Sequence, residues 1–368
     1  MERATARIDY DAVRANCARL KAELGEAELC AVVKADGYGH GADACASAAL
    51  AGGATRLAVA TAGEAEEIGR RFQHVPLLTM GALTAAEVDT VISAGSELAL
   101  WREDFRRLVA EKARAHGHRA RVHVKYDSGM GRLGNPDPGE VVELVRACAA
   151  DPGLELAGLW THFATADELD SDFFDEQLKR FEELAAAVKG EFPEVLVHAA
   201  NSAAVLRDRR SHFEMARCGV AIYGLDPFQR DPGERGLRPA LTLRSHVADV
   251  KRFPAGASAG YGRKWKAPID TWVGVIPIGY GDGVRRGLTN NADVLVGGRR
   301  YPLVGTVSMD NITIDLGPET DARPGEEAVL IGRQGEEQIL AEEVAARLDT
   351  INYEVTCAIA PRVPRRPG

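Results

Sequence analysis

Leu29-Cys30-Ala31-Val32-Val33-Lys34-Ala35-Asp36-Gly37-Tyr38-Gly39-His40-Gly41 is an apolar run that ends in one cation and then breaks into a glycine-rich turn. A continuous apolar stretch of this length bounded by turn signals reads as a buried strand. Lys34 therefore sits where a strand stops. A lysine at a strand end ordinarily carries its ammonium into solvent on a flexible stem. Held at the apolar mouth of a sheet, the same amine loses its proton more readily and becomes a nucleophile that forms Schiff bases with carbonyl compounds. The turn that follows offers Tyr38 and His40 between glycines, which let backbone approach a ligand closely.

Runs of the same kind recur at 56–60, 76–80, 97–100, 120–126, 155–160, 195–199 and 213–217. Amphipathic stretches separate most of them, for example 84–94, 102–116 and 172–189, and Asp9 stands where it would cap a first helix carrying Val13, Cys17, Leu20 and Leu24 on one stripe. Alternating βα units imply a parallel sheet, so the fold class is α/β. Eight units within about 225 residues match a (β/α)₈ barrel, although an open doubly wound sheet satisfies the same count. The barrel is the preferred reading. In it, reactive groups sit at the C-terminal ends of the strands, where Lys34 falls.

Past Arg235-Gly236-Leu237-Arg238-Pro239 the pattern changes to alternating, turn-rich runs at 241–250, 271–278, 293–296, 301–307, 312–316 and 328–331. Gly297-Gly298 is a hairpin signal, and only 340–348 reads as helix. The expected organisation is a barrel over residues 1–235 and a mainly antiparallel β domain over 236–368. A net charge of −9 argues against nucleic acid or an anionic membrane as partner. No leader-like or membrane-spanning run is apparent, so a cytoplasmic location is expected. The six cysteines form no C-x-x-C pair and read as reduced core residues, with no metal site implied.

The remaining strand ends carry polar groups. In Arg121-Val-His-Val-Lys125-Tyr-Asp127, period-2 alternation puts His123, Lys125 and Asp127 on one face, and Arg132 follows after a glycine turn. Two cations facing one site repel, unless a substrate carboxylate lies between them or the lysine has become an anionic carbamate. His162 ends the 155–160 run; Asn201-Ser202 open a short helix, and Arg217-Cys218-Gly219-Val220 follow one strand later. Barrels commonly build phosphate sites at this position from backbone N–H groups. A lysine nucleophile, a phosphate cradle and an arginine together suggest pyridoxal phosphate.

Val33-Lys34-Ala-Asp-Gly-Tyr38-Gly-His-Gly41, Asp127-Ser-Gly-Met-Gly-Arg132, Thr161-His162-Phe-Ala, Asn201-Ser202, Arg217-Cys-Gly219, Gly260-Tyr261-Gly-Arg263, Gly279-Tyr280-Gly-Asp282-Gly, Ser308-Met309-Asp310 and Ile351-Asn-Tyr353-Glu occur in this order along the chain. Together they resemble bacterial alanine racemase. The resemblance implies an isomerase that interconverts L- and D-alanine with pyridoxal 5'-phosphate and supplies D-alanine for the cell wall. It also implies a homodimer whose active sites each borrow residues from the other chain's C-terminal domain.

Carried over residue by residue, Lys34 is the Schiff-base lysine and the base on the D-face, and Tyr261 is the base on the L-face, donated in trans. Racemisation removes the Cα proton on one face and returns one on the other, so two bases are chemically apt. A tyrosine of pKa ~10 must be shifted to serve as a base at neutral pH, and His162 and Arg217 are the implied sources of the field. Arg217 is also implied at the pyridine nitrogen. Tyr38, His162, Asn201, Ser202, Gly219, Val220 and Tyr353 are implied cofactor ligands, with Arg132 and Met309 for the substrate carboxylate and Tyr280 and Asp310 at the substrate entrance. Lys125 matches a position carbamylated in some relatives. Asp36-Gly37 stands where many relatives carry Asn-Ala. Broader racemases acting on serine or lysine, a non-catalytic pyridoxal-phosphate carrier, and a decarboxylase of the same two-domain plan are the alternatives. Tyr261 and Met309 argue against the carrier, and Arg217 against the decarboxylase.

Overall fold

The computed structural model describes residues 2–368, which form two compact units. The chain begins with strand β1 (Thr5–Ile8), and Asp9 then accepts a 2.8 Å bond from the Ala12 N–H as helix Tyr10–Leu24 starts. Val13, Cys17, Leu20 and Leu24 are buried along its inner stripe, as their spacing requires. The first unit, Val13–Gly37 with Ala42–Ile222, is a closed barrel of eight parallel strands. These are β2 (Glu28–Val32), β3 (Arg56–Val59), β4 (Leu77–Thr79), β5 (Glu97–Leu100), β6 (Ala120–Lys125), β7 (Leu154–Trp160), β8 (Leu196–His198) and β9 (Met215–Cys218). Each pairs with the next, and β9 closes on β2 with Glu28 opposite Met215. Every apolar run of the first two thirds is a barrel strand. The helices expected at 84–94, 102–116 and 172–189 are Ala85–Ser93, Glu103–Ala115 and Phe173–Glu191.

The second unit takes in the chain up to Ala12, Tyr38–Gly41 and Tyr223–Gly368. A division at residue 235 assigns β1 to the barrel, whereas β1 pairs antiparallel with β10 (Leu241–His246) in the second unit's largest sheet. The expected run 241–250 is two strands, β10 and β11 (Asp249–Phe253), in different sheets. Between them the Val247 N–H bonds the Glu326 carbonyl, while the Ala248 N–H bonds Val275. The chain changes sheets in one step. A two-stranded ribbon, β12 (Ser258–Ala259) with β13 (Trp265–Lys266), flanks Tyr261, and β14 (Thr271–Ile276) pairs with β11. β15 (Asp293–Val296) and β16 (Arg299–Pro302) form the hairpin, with Gly297 and Gly298 both at positive φ. Here the expected run 301–307 is shorter, ending at Pro302. β17 (Ile312–Gly317), β18 (Glu327–Gln334), β19 (Glu337–Ile339) and β20 (Arg365–Pro367) complete the unit, and β20 lies parallel to β1. Five cysteines are buried; Cys357 is exposed because it lies in the last turn of helix Asn352–Cys357 and faces outward.

Polar groups cross the middle of the barrel. Arg217 on β9 places Nη1 2.7 Å from His198 Nδ1 on β8; His198 Nε2 lies 2.9 Å from His123 Nδ1 on β6; and His123 Nε2 lies 2.7 Å from the Glu97 carboxylate on β5. All four residues are buried. A guanidinium only donates and a carboxylate only accepts, so the hydrogens of this chain run one way. His198 accepts at Nδ1 and donates at Nε2; His123 does the same. Burial first, then the charge of Arg217, pushes the His198 pKa far below its usual value, consistent with the neutral ring this order demands. The carboxylate end is anchored by Arg56 at 3.1 Å and Arg121 at 2.9 Å. Room for His123 comes from a register shift between β6 and β7 that sets Gly158 opposite it. A Cβ on Gly158 would stand 2.1 Å from His123 Nδ1.

Burial works against ionisation of Glu97, but the bond from His123 and the charges of Arg56 and Arg121 outweigh it and hold the carboxyl down at about 2. A folded-state pKa below the unfolded value of ~4.3 gives stability that is complete above that pH and lost as pH falls toward 2. The difference amounts to about 3 kcal/mol. Glu97→Gln should therefore flatten the acid limb of the stability curve between about pH 4.5 and 2 in denaturant titrations. Parallel acid limbs for parent and variant would remove Glu97 as the ionised anchor.

Candidate active site

Lys34 follows β2 and is half-buried. The backbone after it does something glycine alone does not explain: Ala35, Asp36, Gly37 and Tyr38 have φ of 53°, 50°, 61° and 54°. This is one turn of left-handed helix, closed by the Gly37 N–H donating to the Val33 carbonyl at 2.9 Å. Such a turn costs an L-residue roughly 1–2 kcal/mol per position, and three of the four are not glycine. Two carboxylates hold it. Asp36 accepts the Ala42 N–H at 2.9 Å, and Glu64 accepts the Ala35 N–H at 2.7 Å.

Arg217 lies at the barrel mouth as well as in its core. Its Nη2 donates to the Thr161 carbonyl at 2.9 Å, the Ala199 carbonyl at 3.0 Å and His162 Nδ1 at 3.3 Å, while Nη1 takes His198. Its Nε–H has no acceptor among the described residues. Burial pulls its pKa down to about 10, which leaves it charged at neutral pH. His162, by contrast, is driven well below its ordinary pKa by burial, then by Arg217, Lys125, Arg132 and Lys34. That ordering brings the sequence-derived cations together around one ring. A neutral His162 imidazole carries no positive charge, whereas Arg217 keeps its own.

Lys125 is buried at the end of β6, with Nζ 4.7 Å from the centre of the Trp160 ring and no hydrogen-bond partner among the described residues. Burial, then the charge of Arg217, with Arg132 adding and Asp127 opposing, lowers its pKa to about 7. Asp127 itself is a loop builder, accepting the N–H groups of Gly129, Gly131 and Arg132 at 3.0, 3.1 and 3.2 Å. The exposed Arg132 is carried on that loop. Gln177, buried on helix Phe173–Glu191, ties the loops together by donating to Ser128 and to the His162 carbonyl and accepting from Ala164.

Asn201 caps the short helix Ser202–Arg207 by accepting the Ala204 N–H at 2.9 Å. Ser202 Oγ accepts the N–H groups of Gly219 at 3.1 Å and Ala221 at 3.3 Å, so the turn through Gly219 and Val220 is folded onto that helix.

The other candidates lie in the second unit. Tyr38 packs against Tyr223 and Tyr353, with ring centres 5.3 and 6.1 Å apart. The Tyr353 helix is held by Asn352, whose amide donates to the Asp226 carbonyl and to the buried Glu342 carboxyl at 2.8 and 2.7 Å. Gly39 cannot be replaced cheaply, because a Cβ would stand 2.3 Å from the Thr356 carbonyl oxygen. Tyr280 and Met309 are brought together by two backbone bonds of 2.9 Å, Tyr280 N–H to Ser308 and Gly281 N–H to Met309. Asp310 pairs with Arg362 at 2.7 Å, and Arg362 pairs in turn with the buried Asp282, which Arg3 also holds. Tyr261 is 74 % exposed, and its carbonyl accepts from Thr306.

Glu97, His123, His198, Glu64 and Gln177 are the functional neighbours that the motifs do not contain. Period-2 alternation places His123 on one face with Lys125, and Thr61-Ala62-Gly63-Glu64 has capping-box spacing, but neither signal marks a place beside the site.

Residues 8–227 match the family model for the alanine racemase N-terminal domain, and residues 240–367 match that for its C-terminal domain. The chain is 41 % identical to an alanine racemase of Symbiobacterium thermophilum over 98 % of its own length and 96 % of that protein's. It is 40 % identical to alanine racemase 1 of Bacillus subtilis, over 98 % and 92 %. Among solved structures, alanine racemase from D-cycloserine-producing Streptomyces lavendulae superposes with a TM-score of 0.95 at 36 % identity, covering 99 % of this chain and 97 % of that one. Two matched domains in order, relatives similar end to end, and a lysine and an arginine at the mouth of one barrel make this chain a member of the alanine racemase family.

Proposed function

We propose that this protein interconverts L-alanine and D-alanine with pyridoxal 5'-phosphate, as one half of a homodimer, in the cytoplasm and in the service of cell-wall synthesis. The observation that carries the reading is Arg217. A buried guanidinium, bonded to a neutral histidine and two carbonyls and retaining an Nε–H without a protein acceptor, suits an unprotonated pyridine nitrogen. A carboxylate there would suit the protonated ring of a decarboxylase. Bound in this site, the cofactor would supply an electron sink for the charge left at Cα.

The chain's own residues would do the rest. Lys34 would hold the cofactor carbonyl and move the proton on one face of the substrate. Ser202 Oγ fills here the acceptor role for the Gly219 and Ala221 N–H groups that a phosphate oxygen would take, which supports a phosphate at Asn201, Ser202, Gly219 and Val220. Tyr38 and Tyr353, already packed together, would add their hydroxyls. Arg132 would meet the substrate carboxylate. Tyr261, Tyr280 and Met309 are large side chains exposed to solvent on one chain, which supports their use by a second copy. In this reading Tyr261 and Met309 of the partner subunit serve this chain's site, the first as the base on the opposite face and the second at the substrate carboxylate, while Tyr280 and Asp310 line the approach.

Lys125 we assign as a carbamate. Its neutral amine would attack CO₂ through nitrogen and release one proton, turning an unpartnered buried cation into an anion facing Arg217 and Arg132. The unmodified lysine has a folded-state pKa of about 7, below its unfolded one, so its cost to stability is full in acid, fades as pH rises from about 7 toward ~10.4, and is gone above that.

Purified protein supplied with L-alanine should accumulate D-alanine to an equal mixture without releasing CO₂; absence of D-alanine would sink the racemase, and faster turnover of serine or lysine would reassign the substrate. Tyr261→Phe should lower kcat from L-alanine by about 10²–10⁴-fold while leaving the bound cofactor's visible absorption unchanged. Normal racemisation by that variant would remove the second base. Added bicarbonate should raise the melting temperature of the parent and add the mass of one CO₂, and Lys125→Met should abolish both responses. No mass gain and no shift in the parent would leave Lys125 a plain lysine.

A further inference from the structure

Helix Ala62–Arg71 begins with a capping box: Thr61 Oγ1 accepts the Glu64 N–H, and Glu64 returns to the backbone of Thr61. Helix Ala85–Ser93, one βα unit later, begins with the same box made by Thr84 and Glu87. The two glutamates differ in reach. Glu87 spends one oxygen, Oε2, on the Thr84 N–H and hydroxyl, each at 2.8 Å, and touches no other loop. Glu64 spends Oε2 on the Ala60 and Thr61 N–H groups at 2.8 and 3.1 Å, then offers Oε1 to the Ala35 N–H at 2.7 Å. Capping needs only Oε2. The second oxygen is used on the residue immediately after Lys34.

That contact falls where the chain most needs one. Ala35 and Asp36 are L-residues at φ of 53° and 50°, a conformation that relaxes unless its surroundings hold it. The closing bond from Gly37 N–H to Val33 lies inside the turn and cannot fix the turn against the barrel. Glu64 can, because its other oxygen grips the end of β3, the strand paired with β2. One carboxylate thus joins the lysine's turn to the adjacent strand end through three backbone donors.

We propose that Glu64 is a positioning residue for Lys34, clamping the left-handed turn at Ala35 so that the lysine leaves β2 in a single direction. The proposal deepens the reading of Lys34 as the cofactor-bearing lysine and rests on it. A glutamine at position 64 keeps an acceptor oxygen for the cap but turns an NH₂ toward the Ala35 N–H, donor against donor. Ala35→Gly removes the reason for a clamp, since glycine adopts positive φ without penalty.

The test compares Glu64→Gln, Glu87→Gln and the double variant Glu64→Gln/Ala35→Gly in the purified full-length enzyme, by amide hydrogen exchange at residues 35–37, by melting temperature, and by kcat and KM for alanine. For Glu64→Gln, exchange at 35–37 should quicken at least about tenfold and kcat fall by about ten- to a hundredfold, with KM changed less than about threefold. Its melting temperature should move no more than that of Glu87→Gln, which should leave both exchange at 35–37 and kcat as in the parent. The double variant should recover most of kcat. Unchanged exchange at 35–37 in Glu64→Gln, equal effects of the two glutamine variants on kcat, or no rescue by Ala35→Gly would each overturn the clamp. Quickened exchange with unaltered kcat would overturn the positioning role and leave only a structural clamp, whereas the reading of Lys34 fails separately if Lys34→Ala racemises alanine as the parent does.

Discussion

The barrel is organised around one buried guanidinium that has no carboxylate beside it. Arg217 can only donate, and it sits where desolvation is strong enough to pull even an arginine's pKa down. Each neighbour is therefore an acceptor: two backbone carbonyls and two imidazole nitrogens. The acceptor state of His198 then dictates the hydrogen on His123, which dictates that the chain must end on an acceptor; Glu97 provides it, ionised because two surface-side arginines share its charge. A cation at one mouth of the barrel is balanced by an anion near the other through two rings that carry no net charge. Burying a lone ion is costly, and a bonded chain of this kind is how a protein retains one.

The same cation sets the character of its surroundings at the mouth. His162 cannot hold a second proton beside it, and Lys125 is half-deprotonated near neutrality because Arg217 adds to the effect of burial. The mouth thus holds two nitrogen groups that are wholly or partly uncharged near neutrality. Arg217 produces that state without touching Lys125 through any hydrogen bond.

What sequence could show follows from how local each feature is. A strand end announces itself by an apolar run meeting polar residues, so Lys34, Lys125, His162 and Arg217 were legible, as were the turns at Asp127 and Gly297. The Glu97–His123–His198 chain joins strands as far as 75 residues apart, and each member looks ordinary within its own strand. The sheet switch after His246 hides inside an unbroken alternation, because the partners that separate Val247 from Ala248 lie at 326 and 275. β1 is four residues whose strand character depends on a mate more than two hundred positions away. The left-handed turn was half-visible: Gly37 and Gly39 advertise positive φ, but Ala35, Asp36 and Tyr38 share it without any compositional sign.

Gly158 carries a consequence of a different sort. The bulge that brings it opposite His123 leaves no volume for even a methyl group, so the glycine and the imidazole occupy what is sterically one position. The constraint runs in one direction: a side chain at 158 is permitted only in a lineage that has already given up the ring at 123, whereas a glycine at 158 tolerates any residue at 123. Position 158 is thus a lock set by the buried charge, because losing the ring to free it severs Arg217 from its counter-charge.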